Sequence, residues 1–86
     1  MITLGGHTSA VDSLAFSPSG LLASGSLDET IKLWDISTMT CVGTLEGHIN
    51  IVRSVAFNSV GMLASGSDDE TIKLWDISTM NCVGTL

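Results

Sequence analysis

The chain has 86 residues, and nine acidic against three basic side chains give it a formal net charge of −6. This excess of negative charge argues against nucleic acids and anionic membrane surfaces as primary partners. The sequence has no apolar run long enough to span a bilayer, and its first residues lack the basic and apolar regions of a signal peptide. We therefore expect a soluble, cytoplasmic protein.

The first half of the chain predicts four short strands, here called a to d, separated by turns. Branched and aromatic residues predict strand a at 11–16 and strand b at 21–26. The Ser-Pro-Ser-Gly sequence at 17–20 is typical of a tight turn, because proline presets φ at the second position and glycine tolerates a positive φ. Alternating side chains predict strand c at 30–35, and strand d follows at 41–45.

The second half repeats these elements at a constant offset of 41 residues. The predicted strands lie at 51–57, 62–67, 71–76 and 82–86, with a turn at 58–61. When 7–45 is aligned with 48–86, 28 of 39 positions are identical. A period near 40 residues indicates stacked units, none of which buries its apolar face alone.

An acidic segment in each repeat matches a signature for the start of a helix. Ser26 to Glu29 and Ser67 to Glu70 have the residue types and spacing of a capping box. The residues that follow, Thr-Ile-Lys-Leu-Trp, are β-prone and form a run of only about five. We therefore expect a turn followed by a strand at both places, and an all-β chain.

A Gly-His pair opens each repeat and a Trp-Asp pair lies in strand c. These pairs are Gly6-His7 and Gly47-His48, then Trp34-Asp35 and Trp75-Asp76. With the period of about 40 residues, they make the chain resemble the WD-repeat β-propeller family over essentially its whole length. The resemblance implies two four-stranded antiparallel blades, at about 7–45 and 48–86, within a single β-propeller segment, 1–86.

The resemblance also implies a buried hydrogen-bond network of Asp, His, Ser and Trp in each blade. The matching positions are His7, Ser24, Asp28 and Trp34 in the first repeat, and His48, Ser65, Asp69 and Trp75 in the second. Their chemistry agrees, since Trp only donates, Asp only accepts, and Ser and neutral His do both. A catalytic triad is the alternative, but a hydrolase needs one site, whereas a framework needs the same brace in every unit. We therefore expect no catalytic residues and no enzyme.

We expect no metal site, no cofactor and no disulfide. One His and one Asp per repeat are fewer ligands than zinc requires, and 68–70 lacks the alternating carboxylates of a calcium loop. Cys41 and Cys82 occupy the same position of the two repeats, so they are about one repeat spacing apart, too far for an S–S bond. Both are therefore expected to be free thiols.

In the WD-repeat family, partners often bind the top face of the propeller. The resemblance places Ala10, Asp12 and Leu27 of the first repeat there, with Ile51, Arg53 and Asp68 of the second. All three pairs differ between the repeats, whereas the network residues do not. One interpretation is a protein- or peptide-binding face selected by charge; the other is simple drift of exposed positions.

Propellers of this class have roughly four to eight blades, whereas this chain has two. One face of each blade then has no neighbour in the chain and would leave an apolar patch in water. Head-to-tail contacts between copies close such a ring, with six blades from three copies or eight from four. We favour the homotetramer, with the homotrimer second. The alternatives are a fragment of a longer propeller and a weakly folded monomer.

Residues 1–4 align with the end of strand d and are predicted to be a strand remnant. They compete with 82–86 for the edge of the strand at 71–76. We expect 82–86 to take that edge and 1–4 to be weakly ordered, because the loop before 82–86 is short and costs little entropy to close.

The predicted function is a non-catalytic scaffold for protein–protein interaction that assembles with itself into a complete propeller. The alternative is a fragment, or a designed or duplicated structural repeat unit, with no dedicated partner. Neither prediction requires a cofactor, a nucleic acid or a membrane.

Overall fold

The computed structural model describes residues 4–86 and contains eight β-strands. They are β1 (Val11–Phe16), β2 (Leu21–Ser26), β3 (Ile31–Asp35), β4 (Thr40–Leu45), β5 (Val52–Phe57), β6 (Leu63–Ser67), β7 (Ile72–Asp76) and β8 (Asn81–Thr85). The all-β prediction is confirmed, and every predicted strand boundary lies within one residue of the observed one. Within residues 4–86 there is no helix of a length and apolarity that would cross a bilayer.

The strands form two antiparallel sheets of four, each consistent with one propeller blade. The first sheet has the order β1-β2-β3-β4 and the second the order β5-β6-β7-β8. Each first strand has an irregularity in its register, between Val11 and Ser13 in β1 and between Val52 and Ser54 in β5. The two sheets therefore share even their local departures from a regular ladder.

The turns between strands agree with the residues that predicted them. Gly20 and Gly61 have φ values of 93° and 88°, and their amides donate to Ser17 and Asn58 carbonyls at 3.1 and 3.2 Å. The capping-box segments are turns rather than helix starts, since Glu29 has a φ of 74°. Such a value is left-handed and incompatible with the first turn of an α-helix.

Each sheet has two faces, which we call front and back. The front faces carry Val11, Leu14, Phe16, Leu22, Ser24 and Trp34 in the first sheet, and Val52, Val55, Phe57, Leu63, Ser65 and Trp75 in the second. The back faces carry Ala23, Gly25, Ile31, Leu33 and Leu45, and Ala64, Gly66, Ile72, Leu74 and Leu86. The two sheets pack with the back face of the first against the front face of the second.

This contact between the sheets forms the hydrophobic core. Ile31, Leu33 and Leu45 from the first sheet are buried against Val52 and Val55 from the second. Burial of such side chains contributes about 1.5–3 kcal/mol each to stability. The core therefore lies between the two repeats rather than inside either one.

The far edge of the second sheet is occupied by the chain's own last strand. β8 pairs with β7, and Leu86 exchanges two backbone hydrogen bonds with Ile72, at 3.0 and 2.7 Å. Residues 1–3 of the predicted strand remnant lie outside the described residues, and Leu4 is not part of a strand.

Candidate functional site

A chain of side-chain hydrogen bonds ties β2 and β3 to the segment that precedes β1. His7 Nδ1 lies 2.8 Å from Asp28 Oδ2, and His7 Nε2 lies 2.7 Å from Ser24 Oγ. Trp34 Nε1 donates to the same Ser24 oxygen at 2.9 Å. The His7 and Asp28 side chains are almost completely buried. The structure thus brings together the four network residues of the first repeat.

The second sheet contains the same network. His48 Nδ1 lies 2.7 Å from Asp69 Oδ2, His48 Nε2 lies 2.7 Å from Ser65 Oγ, and Trp75 Nε1 donates to Ser65 Oγ at 2.8 Å. Each indole also approaches its His ring edge-on, with centroids 6.4 Å apart in both sheets. The two sheets are therefore braced in the same way.

The direction of each hydrogen bond follows from which groups can donate. An indole N–H only donates and a carboxylate only accepts. The serine hydroxyl, having accepted from Trp, donates its own hydrogen to His Nε2. The neutral imidazole then donates from Nδ1 to Asp. Every group of this network thus has a partner, and each bond contributes about 1 kcal/mol net.

The carboxylates of Asp28 and Asp69 are held in the ionised form. Burial of Asp28 opposes ionisation, but hydrogen bonds from Thr30, His7 and backbone amides outweigh it and hold its pKa well below the ordinary value. For Asp69 the hydroxyl of Thr71 has the largest effect, and with the bond from His48 it outweighs burial and lowers the pKa similarly. Both carboxylates therefore remain acceptors throughout the physiological pH range.

The two threonines were missed by the sequence analysis. Thr30 Oγ1 donates to Asp28 Oδ1, and Thr71 Oγ1 donates to Asp69 Oδ1. The amides of the same threonines donate to the same oxygens, at 2.9 Å in both sheets. The Asp-x-Thr spacing in both repeats is the signal that would have found them, because Asp side chains bond the backbone two residues on.

The serine hydroxyls at the centre of the networks are poorly placed for nucleophilic chemistry. Ser24 and Ser65 are both buried, and each oxygen is already shared between an indole donor and an imidazole acceptor. A nucleophile must be exposed to its substrate and free to lose its hydrogen to a base. The arrangement is suited to bracing the strands.

The six predicted top-face residues make two separate sets of contacts, one within the first sheet and one that reaches from the second sheet to the first. The carbonyl of Ala10 accepts from the amide of Leu27 at 2.9 Å, and the carbonyl of Ile51 accepts from the amide of Asp68 at 3.0 Å. Arg53 pairs with Asp68 of its own sheet and with Asp12 of the first sheet. The structure therefore places these positions together at one end of the two sheets.

Arg53 makes two ion pairs at this end, one within the second sheet and one with the first sheet. Its Nε and Nη2 donate to the two oxygens of Asp68 at 3.0 and 2.8 Å, and its Nη1 donates to Asp12 Oδ2 at 3.4 Å. The hydrogen bond from Arg53 lowers the pKa of Asp68. Asp12 and Arg53 occupy the same position of the two repeats, so their opposite charges meet where the sheets meet.

Two apolar faces are left uncovered in the described part of the chain. Val52 is fully buried on the front face of the second sheet, whereas Val11, its counterpart on the first, is 49% exposed. Ile31 is fully buried on the back face of the first sheet, whereas Ile72, its counterpart on the second, is 45% exposed. The uncovered faces are thus copies of the two faces that form the core.

The uncovered front face of the first sheet contains a hollow of about 80 Å³. It is lined mainly by apolar side chains, together with His7 and Ser24 of the network; the apolar lining is Leu4, Val11, Leu14, Leu22 and Trp34. The equivalent region of the second sheet is filled, since Leu45 packs there in the core with Val52, Val55 and Trp75.

Comparison with known proteins agrees with the repeated geometry. The family model described as "WD domain, G-beta repeat" matches residues 1–35 and 39–76. The chain belongs to the WD-repeat family. The first match contains β1–β3 and the second contains β4–β7. The second matched repeat therefore begins with β4, the last strand of the first sheet, and continues through β5, β6 and β7 of the second sheet. A single repeat of the family model thus includes strands from both sheets.

Individual WD-repeat relatives are similar over about half of this chain. Protein Mut11 of Chlamydomonas reinhardtii is 57% identical over 42 residues, which are 48% of this chain and 11% of that protein. WD repeat-containing protein AAC3 of Dictyostelium discoideum is 49% identical over 43 residues, which are 49% of this chain and 9% of that protein. Protein Notchless of Drosophila melanogaster is 61% identical over 36 residues, 41% of this chain and 7% of that protein. The matched segments thus span only about a tenth of these relatives.

Proposed function

We propose that this WD-repeat chain is a non-catalytic protein-interaction scaffold whose copies dock head to tail. One observation carries the proposal: the same apolar side chains are buried in one sheet and exposed in its repeat. Exposed contiguous apolar patches on a soluble protein mark interaction surfaces. The fully satisfied Ser-His-Asp networks favour a structural role over a catalytic one.

The contact inside the chain supplies the template for the contact between copies. There, Ile31 and Leu33 on the back face of the first sheet cover the front face of the second. Between copies, Ile72 and Leu74 would cover the front face of the next copy's first sheet in the same way. The surfaces are nearly the same in sequence, so the second contact has the same apolar side chains to bury.

A head-to-tail contact of this kind is heterologous, and it either closes into a ring or continues as a filament. Propellers of roughly four to eight blades are the closed solutions for stacked sheets of four strands. Three copies of this chain would give six sheets and four would give eight. We favour the ring of four, with three second.

The end of the sheets that carries Ala10, Leu27 and Ile51 is the proposed binding face for a protein or peptide. Leu27 and Asp68 are both exposed there.

The experiment is native mass measurement over a dilution series from high to low micromolar concentration. The proposal predicts an assembly of four times the 9.0 kDa chain mass, or three times as the second choice. The assembly should dissociate on dilution without intermediate filaments. A compact 9.0 kDa species at every concentration would overturn the proposal.

A further inference from the structure

We infer that Asp12 and Arg53 form a charge-matching contact at every junction between sheets, including the junction between two copies of the chain. The inference rests on the proposed head-to-tail docking. It adds that Asp12 and Arg53 make a second copy of the chain the preferred partner for the uncovered faces. It assigns Asp12 and Arg53 to assembly rather than to the binding of a separate partner.

Inside the chain, the contact is already formed. Arg53 Nη1 lies 3.4 Å from Asp12 Oδ2, although the two residues are separated by 41 positions. The contact spans the boundary between the first and second sheets, because Asp12 lies in β1 and Arg53 in β5. It is therefore a contact between adjacent sheets and not a brace within either one.

Asp68 orients the arginine for this role. It accepts two hydrogen bonds from the guanidinium, at 3.0 and 2.8 Å, and leaves Nη1 for Asp12. Bidentate pairs of this type fix the direction of an arginine side chain. The first repeat has Leu27 at the position of Asp68. Only the second sheet therefore has a carboxylate that orients the side chain at this position.

Because the two repeats are equivalent, we expect the same contact at the junction between copies. The positions of Asp12 and Arg53 are equivalent, so successive sheets in a head-to-tail ring place Asp, Arg, Asp and Arg side by side. Each Arg53 would have the Asp12 of its own chain on one side and the Asp12 of the next copy on the other. Two identical repeats would instead place like charges together at every junction, which opposes docking.

The charges of Asp12 and Arg53 also favour a second copy of the chain as the molecule that docks on the uncovered faces. A sheet that docks on the uncovered front face meets the exposed carboxylate of Asp12, and a sheet that docks on the uncovered back face meets Arg53. The uncovered surfaces of a second copy supply the matching charge in both cases. A WD-repeat sheet without a cation at this position would bury the same apolar area but leave Asp12 unpaired.

The test uses two charge-reversal variants, Asp12→Arg and Arg53→Asp. Both side chains are exposed, so the substitutions do not disturb the core. Either variant alone places like charges at every junction. Exposed pairs contribute about 1 kcal/mol at most, so we expect a loss of affinity between copies of about fivefold per junction. High salt should reduce this loss, because it screens exposed charges.

Mixing the two variants gives the decisive result. Where the second sheet of an Asp12→Arg copy docks on the first sheet of an Arg53→Asp copy, the unchanged Arg53 lies beside the unchanged Asp12. At the reverse junction, the two substituted side chains meet, and they also have opposite charges. The mixture should therefore assemble more tightly than either variant alone, into assemblies with equal numbers of the two variants, a composition that native mass spectrometry resolves by mass. The variant Glu70→Arg is the control, because it changes the charge by the same amount at a side chain that has no hydrogen bond or ion pair with Asp12 or Arg53 within residues 4–86.

The outcomes separate this inference from the proposed function. If the unmodified chain assembles but neither variant weakens the assembly and the mixture shows no preference for equal numbers of the two variants, the charge contact is overturned and the docking stands. If the unmodified chain remains a monomer, the docking fails and the inference fails with it. If Glu70→Arg weakens assembly as much as Asp12→Arg, net charge is responsible and the specific contact is overturned.

Discussion

Gly25 of the first sheet lies directly against Val52 of the second. A Cβ atom at Gly25 would lie 2.7 Å from Val52 Cγ1, nearer than non-bonded carbon atoms tolerate. The repeat counterpart of Gly25 is Gly66, whose Cβ would meet only the hydroxyl of Ser54, at 2.9 Å. A side chain at Gly25 therefore obstructs the core, whereas one at Gly66 obstructs only what docks on the uncovered back face.

This pair of glycines gives a matched test of the docking surface. Gly25→Ala should lower the free energy of unfolding by about 1–3 kcal/mol, because it overpacks the contact with Val52. Gly66→Ala should leave the folded chain nearly unchanged at high dilution, since the Ser54 hydroxyl can rotate away, but should weaken association between copies. Chemical denaturation and sedimentation measure the two effects separately. Equal behaviour of the two variants in both measurements would contradict the assignment of the back face.

Ser65 is the hub of the network in the second sheet. Ser65→Ala removes the acceptor of Trp75 and the donor to His48, so two buried polar groups are left without partners. We expect a loss of about 3 kcal/mol in the free energy of unfolding, because each such group costs about 1–3 kcal/mol. Ser59→Ala, in an exposed turn, is the control and should change stability by less than about 0.5 kcal/mol. A loss no greater than that of the control would show that the network does not brace the sheet.

The lowered pKa values of Asp28 and Asp69 predict the behaviour of the protein in acid. Carboxylates with a depressed folded pKa stabilise the folded state above their ordinary pKa of about 3.9, and this stabilisation is lost as the pH falls through the folded value. Stability should therefore change little between pH 7 and about pH 5 and fall steeply below about pH 4. In the double variant Asp28→Asn, Asp69→Asn, the free energy of unfolding should be lower between pH 7 and about pH 5 and should decrease less steeply below about pH 4. Urea denaturation across this pH range measures both; an unchanged slope in the double variant would refute the assignment.

The hydroxyl of Ser13 is buried and has no hydrogen-bond partner among residues 4–86. Ser13→Ala removes that unsatisfied group, so we expect the free energy of unfolding to rise by about 1 kcal/mol. The counterpart Ser54 is exposed, and Ser54→Ala should change stability by less than about 0.5 kcal/mol. Thermal denaturation of the two variants side by side is the measurement. Destabilisation by Ser13→Ala would show that the hydroxyl has a role that the structure does not account for.

The strands and turns could be predicted from the sequence because each carries a strong local signal. Gly20 and Gly61 mark turns that need a positive φ, and the branched residues of β5 favour extended backbone. The turn after β2 was also predictable, although its residues match a capping box, because Ile31 and Trp34 follow in a short β-prone run. In each case the deciding residues lie within a few positions of the element.

The contacts between repeats were less accessible from sequence. Nothing local to Ile31 or Ile72 distinguishes them, because both lie in the same Thr-Ile-Lys-Leu-Trp segment. Their different burial depends only on which sheet lies beside each one. The ion pair of Asp12 with Arg53 has the same origin, since it joins residues 41 positions apart. The alignment showed that the charges differ, but only the packing of the sheets shows that they meet.

The head-to-tail claim is tested most directly by disabling one face in each of two variants. Leu14→Arg places a charge on the uncovered front face, and Ile72→Arg places one on the uncovered back face; both side chains are exposed in the chain itself. Each variant alone should no longer form assemblies of several copies, because every contact between copies needs both faces. Their mixture retains one intact face from each, so it should form a single one-to-one pair of twice the 9.0 kDa chain mass and grow no further. If the mixture contains only 9.0 kDa monomers while the unmodified chain assembles, the copies associate through other surfaces and the account is wrong.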